Sequence, residues 1–463
     1  MRVILLLTLV ATGLAAVNIR QVNSRTARKF ITPPQNSDMA AGTNFVFSFL
    51  NSHLFPNDSS FTENLFVTIT NPSASVAQVS ITSKYEGFNS TNVTVPPKTS
   101  QVIQIFPASI QVDYMDKNVD YVFTDTKSIY VTSNLPIKLV ATNQLSDSSS
   151  EDAFAVLPIC QLGTSYIAVV DESAGSSMDQ ATNIITVIAT QDNTAVDMSP
   201  VVAQVVTINA GEQVSVAVKA LINSLYIQAN KPVAVISGAV CGYGFEDNPI
   251  HCSHEALMLY PLVDFGTEYP VFKYLPESRG DIIIFLTQNN TTLKVDQEIV
   301  GLYGPEVYIV ATVDPGIFIS TDKPIYTAQF GNVNAQDQGA PFLAHVTPPN
   351  LFTSGPVTFA TGYTQDETDN MVHYVRVVTD LNNIGSLIVQ NFAKGTTVQP
   401  NGLLYRRMGV STYYFVDVQV PRGQYTVSSA LSSAKFSVTV YGYGQYRSYA
   451  YNAGLDLPVT GIC

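Results

Sequence analysis

Charge is scarce in this sequence. Charged residues make up 13 % of its 463 positions, against about 25 % in ordinary soluble domains. The surface must therefore be built largely from Ser, Thr, Asn, Gln and Tyr. Basic residues are scarcer than acidic ones, 23 against 36, and the net charge is −13. That balance excludes nucleic-acid binding, which needs clustered Lys and Arg against the phosphates. The acidic excess is spread along the chain and reads as a solubility property. No segment after the N-terminus is apolar for the ~20 residues that span a bilayer. The apolar tail that a lipid anchor requires is missing as well. No membrane insertion is expected, and no amphipathic helix of any length is visible.

Catalytic signatures are also missing. There is no Gly-rich phosphate loop, no nucleophile elbow and no HExxH motif. "HEALM" from His254 begins like a zincin motif and stops. Ser432 and Lys435 have serine-acylase spacing, but they lie between two expected strands, where that chemistry needs a helix start. Arg279-Gly280-Asp281 is an integrin-type tripeptide, yet it runs straight into the strand-like "IIIFL", and a turn role for Gly280 explains it better. The expectation is a protein without catalytic residues, cofactor or metal. The alternative is a secreted, glycosidase-like hydrolase, since such enzymes need only two carboxylates about 5–10 Å apart.

What is present favours strands. The chain has 24 Tyr and 23 Phe with abundant Val and Ile, residues that suit pleated, half-buried surfaces. Its first residues, "MRVILLLTLVATGLAAVN", have a basic start at Arg2, an apolar run and then Gly13, Ala15 and Ala16. This is the pattern of a signal peptide over residues 1–16, with a mature chain starting near Val17. Residues 17–41 read as a flexible leader. Secretion is the expected localisation. Sequons at Asn57, Asn89, Asn92, Asn289 and Asn290 agree with it, as glycosylation acceptors of an exported chain. So does an even count of four cysteines. Cys241 and Cys252 are near neighbours across a turn-rich loop and form the favoured disulfide. Cys160 and Cys463 then pair with each other or with a second chain, which leaves a homo-oligomer open. Cys241, Cys252, His251 and His254 could also hold zinc, but cysteines of secreted proteins are usually oxidised. Glu246 and Asp247 would need further oxygen ligands to bind calcium.

Three phrases repeat along the chain. "SIYVTSNLPIKLVATN" from Ser128, "SLYIQANKPVAVISG" from Ser224 and "GIFISTDKPIYTAQFG" from Gly316 are versions of one. Each has an alternating run, a polar turn, Pro136, Pro232 or Pro324, and a second run. The pattern predicts a hairpin turning at the proline. "GTNF" at Gly42, "GTSY" at Gly163 and "GTEY" at Gly266 travel with it. Between them stands a strand–turn–strand phrase beginning at Leu65, Asn183 and Asp281. A fourth copy, from His373 to "AKFSVTVYGYG" at Ala434, has Phe436 in place of the proline and "SGPVTF" in place of the opening.

The fold expected is all-β, in tandem antiparallel β-sandwich-like units over 42–155, 156–258, 259–349 and 350–463. Seven strands are expected between Tyr166 and Val240. A closed, propeller-like array of the same units is the alternative.

Two surfaces are candidates for binding. Only the second unit is expected to carry a long connection after its proline-led strand. It presents Tyr243, Phe245, Glu246, Asp247, His251 and His254, and equally well plugs the joint to the third unit. The aromatic stretch Tyr441, Tyr443, Tyr446, Arg447, Tyr449 and Tyr451 has the composition of a binding hot spot, though a structural role covering the last sheet is favoured. The partner expected is an extracellular protein or glycan, at a mucosal, cuticular or cell surface, with coating of microbes as a special case.

The runs "LPICQLGTSYIAVV" from Leu157, "KPVAVISGAVC" from Lys231, "CSHEALMLYPLVDFGTEYPV" from Cys252 and "VTVYGYGQYRSYAYNAGL" from Val438 resemble the N-terminal domain of the IgG Fc-binding protein family. The resemblance covers most of residues 42–456. It implies a secreted recognition or adhesion module without catalytic residues, in which Cys241 and Cys252 occupy the place of a family cysteine pair. The cysteine-rich von Willebrand-type modules of large family members are not in this sequence. Fc contacts do not carry over, because no Fc-contacting residue can be mapped.

Overall fold

The computed structural model describes residues 41–52, 63–112, 121–145, 150–168, 183–218, 225–242, 252–275, 282–286, 288–304, 307–311, 316–331, 338–362, 371–392, 395–397, 406–407, 411–459 and 463. Nearly all of their regular structure is β. The first unit holds β1 (Gly42–Phe47), β2 (Glu63–Asn71), β3 (Ala77–Ser83), β4 (Thr91–Val95), β5 (Thr99–Ile105), β6 (Tyr121–Asp125), β7 (Ile129–Leu145) and β8 (Glu151–Val156). The second holds β9 (Gly163–Ala168), β10 (Asn183–Ala189), β11 (Thr194–Asp197), β12 (Val206–Ile208), β13 (Gln213–Val218), β14 (Leu225–Gly242) and β15 (Ser253–Met258). The third holds β16 (Gly266–Phe272), β17 (Ile282–Leu286), β18 (Thr291–Val295), β19 (Glu298–Tyr303), β20 (Val307–Ala311), β21 (Gly316–Gly331) and β22 (Phe342–His345). The fourth holds β23 (Val357–Thr361), β24 (Val372–Asp380), β25 (Leu387–Asn391), β26 (Arg406–Arg407), β27 (Tyr413–Val420), β28 (Gly423–Ser429), β29 (Phe436–Tyr443) and β30 (Ser448–Gly454).

The proline phrase is not a hairpin. It is one long strand that belongs to two sheets. The first half of β7 pairs with β1 and β3, and its second half pairs with β2 and β8. β14 and β21 do the same in their units. The seven strands expected between Tyr166 and Val240 are therefore six, β9 to β14. The physical reason lies at the corner. A strand that changes sheets must bend, and there proline loses no ladder bond by lacking an N–H.

The phrases travel together because they touch. The residue after each proline faces the glycine of the GT phrase: Ile137 opposite Gly42, Val233 opposite Gly163, Ile325 opposite Gly266. Tyr166 Oη donates to Val233 O at 2.7 Å and accepts from Gly163 N at 2.8 Å. Tyr269 links Ile325 and Gly266 in the same way. Two residues before each proline, Asn134, Asn230 and Asp322 accept the backbone N–H of Gln78, Ala195 and Thr292 at 2.7, 2.9 and 2.7 Å. Those amides belong to the strand–turn–strand phrase. Asp322 is held below the usual carboxylate range, chiefly by that amide. Lys231 and Lys323 tie the same turns down by donating to Asp192 O and to Asn289 O and Asn290 O.

The fourth unit keeps the corner by another device. Its long strand is cut into β28, in one sheet with β23 and β25, and β29, in another with β24 and β30. Phe436 and Thr353 exchange both backbone bonds at 2.9 Å at the start of β29.

The units are sandwich-like and also close on themselves. β8 packs against β15, β15 against β22, β22 against β30 and β30 against β8. These four last strands form a ring about a common axis. β6 crosses a boundary and pairs with β13 of the second unit. Between consecutive units the joint is tight. A Cβ on Gly42, Gly163 or Gly266 would lie 2.3, 2.6 or 2.4 Å from the Cβ of Pro158, Pro261 or Pro348. Each proline opens a short 3-10 turn into the next unit, at Ile159–Gln161, Leu262–Asp264 and Pro349–Leu351.

Candidate functional site

The axis of the ring carries the densest buried polar chemistry among the described residues. Asp152, 1 % exposed, begins it. Its carboxylate accepts the backbone N–H of Ala153 on β8 at 2.7 Å and of Ala256 on β15 at 2.9 Å. The amides of Leu343 on β22 and Ala450 on β30 also favour its charged form. One side chain thus bonds β8 and β15 and interacts electrostatically with β22 and β30. Burial pushes this carboxyl well above its ordinary range, and the four amides act against that push. A protonated oxygen here would aim its hydrogen at another N–H, so the ring of donors accommodates the carboxylate.

The two ends of the axis differ. At one end His345 stacks on Tyr260, with ring centres 3.6 Å apart. Its Nδ1 accepts from Tyr326 Oη at 2.6 Å, and its Nε2 donates to Met258 O at 2.8 Å. Burial lowers the pKa of His345 to about 3. Neutral and doubly bonded, it closes this end.

The other end is where β7, β14, β21 and β29 hand over to the four central strands. Arg447, just before β30, donates to Glu151 at 3.3 Å, and Gln144 also reaches that carboxylate. Ser150 Oγ accepts His254 N at 2.8 Å. Gly339 N donates to Gly444 O at 2.7 Å, and Ala340 N to Ser448 Oγ at 3.0 Å. The turn 444–447 is therefore held by the first and third units together. At its tip Tyr446 has φ of 64° and is 38 % exposed. A bulky residue is uncommon in that left-handed region and persists only where its surroundings over-determine it.

The sequence candidates fall as follows. Tyr243, Phe245, Glu246, Asp247 and His251 lie outside the described residues, as do Asn57 and the tripeptide at 279–281. His254 is not on a presenting loop. It is buried on β15, a strand buried on both faces, and burial lowers its pKa to about 4. The connection from β21 to β22, 332–341, is as long as that from β14 to β15, so the second unit is not alone in carrying a long one.

Cys241 is joined to Cys252 and Cys160 to Cys463, which leaves none of the four as a zinc-binding thiolate. The aromatic stretch is mostly interior. Tyr441, Tyr449 and Tyr451 are fully buried, and burial holds the Tyr441 phenol well above its ordinary value. Tyr441 stacks on Tyr374, Tyr449 bonds His373 at 2.9 Å, and Tyr451 donates to Ala360 O at 2.6 Å. Tyr443 is half-buried beside Tyr374, and only Tyr446 reaches solvent substantially. Asn89, Asn92, Asn289 and Asn290 are exposed.

Sequence reasoning missed Asp152 and Arg376. Arg376 of β24 forms a two-pronged pair with Asp417 at 2.8 Å and donates to Phe272 O and Lys273 O of the third unit. Tyr274, Phe415 and Tyr441 surround its guanidinium at 4.7–5.4 Å. Burial works against this charge, but Asp417 holds it protonated more firmly than usual.

No helix among the described residues is long and apolar enough to cross a membrane. Among curated proteins no match is found at a significant level. The family described as IgGFc binding protein matches residues 42–227 and again residues 152–442. The two matches overlap over the second unit, as internal repeats require. Between them they span the described strands from β1 to β29, and the chain belongs to the IgG Fc-binding protein family.

Proposed function

We propose that this protein is a secreted, non-enzymatic binding module whose contact face is the end of the ring that carries Tyr446. The family supports an extracellular binding role. The observation that carries the face is Tyr446, an exposed aromatic side chain in a strained turn that two other units hold in place. Rigid aromatic anchors of this kind lose little entropy on binding. Tyr243 and Phe245, which lie in sequence between β14 and β15, are proposed to contribute to the same binding. The partner is an extracellular protein or glycan met at a body or cell surface, and surface defence is the setting proposed. The experiment is an array of IgG Fc, secreted glycoproteins and glycans probed with the glycosylated mature chain. Ligands captured by the wild type should be lost by Tyr446→Ala and by Tyr243→Ser with Phe245→Ser, at unchanged melting temperature. Full binding by both variants refutes this face.

A further inference from the structure

Three of the ring's four seams are crossed by continuous chain. The seam between the fourth and first units is not, and a tail closes it. Leu455 and Leu457 follow β30 and belong to the same hydrophobic cluster as Phe45, Phe47 and Ile137 of the first unit. Cys463 O accepts from Thr43 N at 2.7 Å and from Thr43 Oγ1 at 2.6 Å. Cys463 is then joined to Cys160, which sits in the turn linking the first and second units, 303 residues away in sequence. Lys138 of β7 donates to Ala453 O at 2.7 Å across the same seam. A cleft opens beside it, walled by Val140, Ala155, Phe359, Tyr451 and Leu455. Here the packing of β30 against β8 and the Arg447–Glu151 pair are supplemented by a tail, whose end one covalent bond fixes.

We propose that Cys160–Cys463 is a thiol-exchange site that works as a latch, and that opening it loosens this seam alone. Both of its cysteines are half-buried, so either sulfur can be approached, whereas in the other disulfide Cys252 is half-buried and Cys241 is buried. The co-reactant is a small thiol of the glutathione type. Its thiolate attacks one sulfur of the pair, forming a mixed disulfide and releasing the other cysteine as a thiolate. A second small thiol then attacks the mixed disulfide, leaving two cysteine thiols and one oxidised dithiol. Two electrons pass from the small thiols to the protein. The two disulfides differ in what they hold. Cys241–Cys252 closes a loop of sequence separation 11 within one unit, so its reduction frees a loop and no seam.

The test is limited reduction of the folded, glycosylated chain with reduced glutathione, followed by alkylation, peptide mapping and amide hydrogen exchange. Cys160 and Cys463 should be labelled several-fold faster than Cys241 and Cys252. In the latch-open protein, exchange should rise at least tenfold at Thr43 and on β8 and β30, and stay unchanged where β10 meets β14. The variant Cys160→Ser with Cys463→Ser should show the same pattern without reductant. Faster labelling of Cys241 and Cys252 would overturn the proposal. So would an exchange map that does not change when Cys160 and Cys463 are shown to be free. The chemical route keeps the test decisive where the double variant fails to fold.

Discussion

Replacing Asp152 with asparagine keeps the shape of the side chain and removes half of what it does. The carboxylate accepts the backbone amides of Ala153 and Ala256, one on each oxygen, and the amides of Leu343 and Ala450 also favour its charge. An asparagine offers one oxygen, and its NH2 group faces the other donor. One amide is then left without an acceptor. A buried amide left unsatisfied costs ~1–3 kcal/mol. The bond that survives is also weaker, because charge-assisted hydrogen bonds are roughly twice as strong as neutral ones. Against this stands relief from burying a charge, the effect that drives the carboxyl upward in the native protein. The net expectation is a loss of about 1–3 kcal/mol, or a melting temperature lower by about 1–3 °C at an unfolding entropy of ~2.1 cal/mol/K per residue. Asp152→Ala removes both acceptor oxygens and should cost more.

Calorimetry and urea unfolding measure the loss. Amide exchange locates it, because only an axial role predicts that Ala256, Leu343 and Ala450 lose protection together. A stability within 0.5 kcal/mol of wild type, or lost protection confined to β8, would refute the reasoning.

His345 gives a pH signature. Its folded pKa of about 3 lies below its ordinary 6.5, so the unfolded chain takes up the proton first. Its contribution is complete above pH 6.5 and falls as pH drops from there towards 3, by about 1.4 kcal/mol per unit. The stability gap between wild type and His345→Gln should narrow at that slope on acidification, and parallel curves would reject it. Arg376→Ala should cost about 3–5 kcal/mol by stranding Asp417, and Arg376→Ala with Asp417→Ala should recover part of it in urea unfolding. Gly163→Ala forces a methyl group against Pro261 and should cost about 1–3 kcal/mol, read as a lower melting temperature. N-terminal sequencing of the exported protein should find Val17 or a near neighbour first, with glycan on Asn89 or Asn92.

Much of the fold could be read from internal repetition. The GT phrase, the strand–turn–strand phrase and the proline phrase mark the four units, because each phrase records a contact that every unit must make. The hairpin reading failed at Pro136, Pro232 and Pro324 for a physical reason. A proline in a turn and a proline at a corner have the same local signature, and only the partners of the flanking residues tell them apart. Asp152 was illegible because its partners are amides, which every residue carries, on strands up to 298 positions downstream at Ala450. Arg376 was missed for the same kind of reason, since its carbonyl partners at Phe272 and Lys273 belong to the preceding unit. The aromatic stretch fits an interface and a core by composition, and the favoured structural role agrees with the burial of Tyr441, Tyr449 and Tyr451, because β30 is buried on both faces.

The fourth unit shows how far a repeat can drift when its contacts are kept. It has lost the proline, the Asn or Asp two residues earlier and the GT opening. Each loss is matched by a bond made elsewhere. Thr353 and Phe436 hold the corner. Val357 packs where Gly454 leaves room for it, a Cβ there falling 2.4 Å from its Cγ2. Its last strand, β30, is followed by residues that run back to the first unit. The first three units need a linker that a next unit can accept, and the Gly–Pro contact provides it. The fourth must instead return to the first, and Leu455, Leu457 and Cys463 make that return. Divergence is thus concentrated where the geometry of a closed ring differs from that of an open row. Closure thus combines strand packing common to all four seams with contacts that only the fourth unit makes.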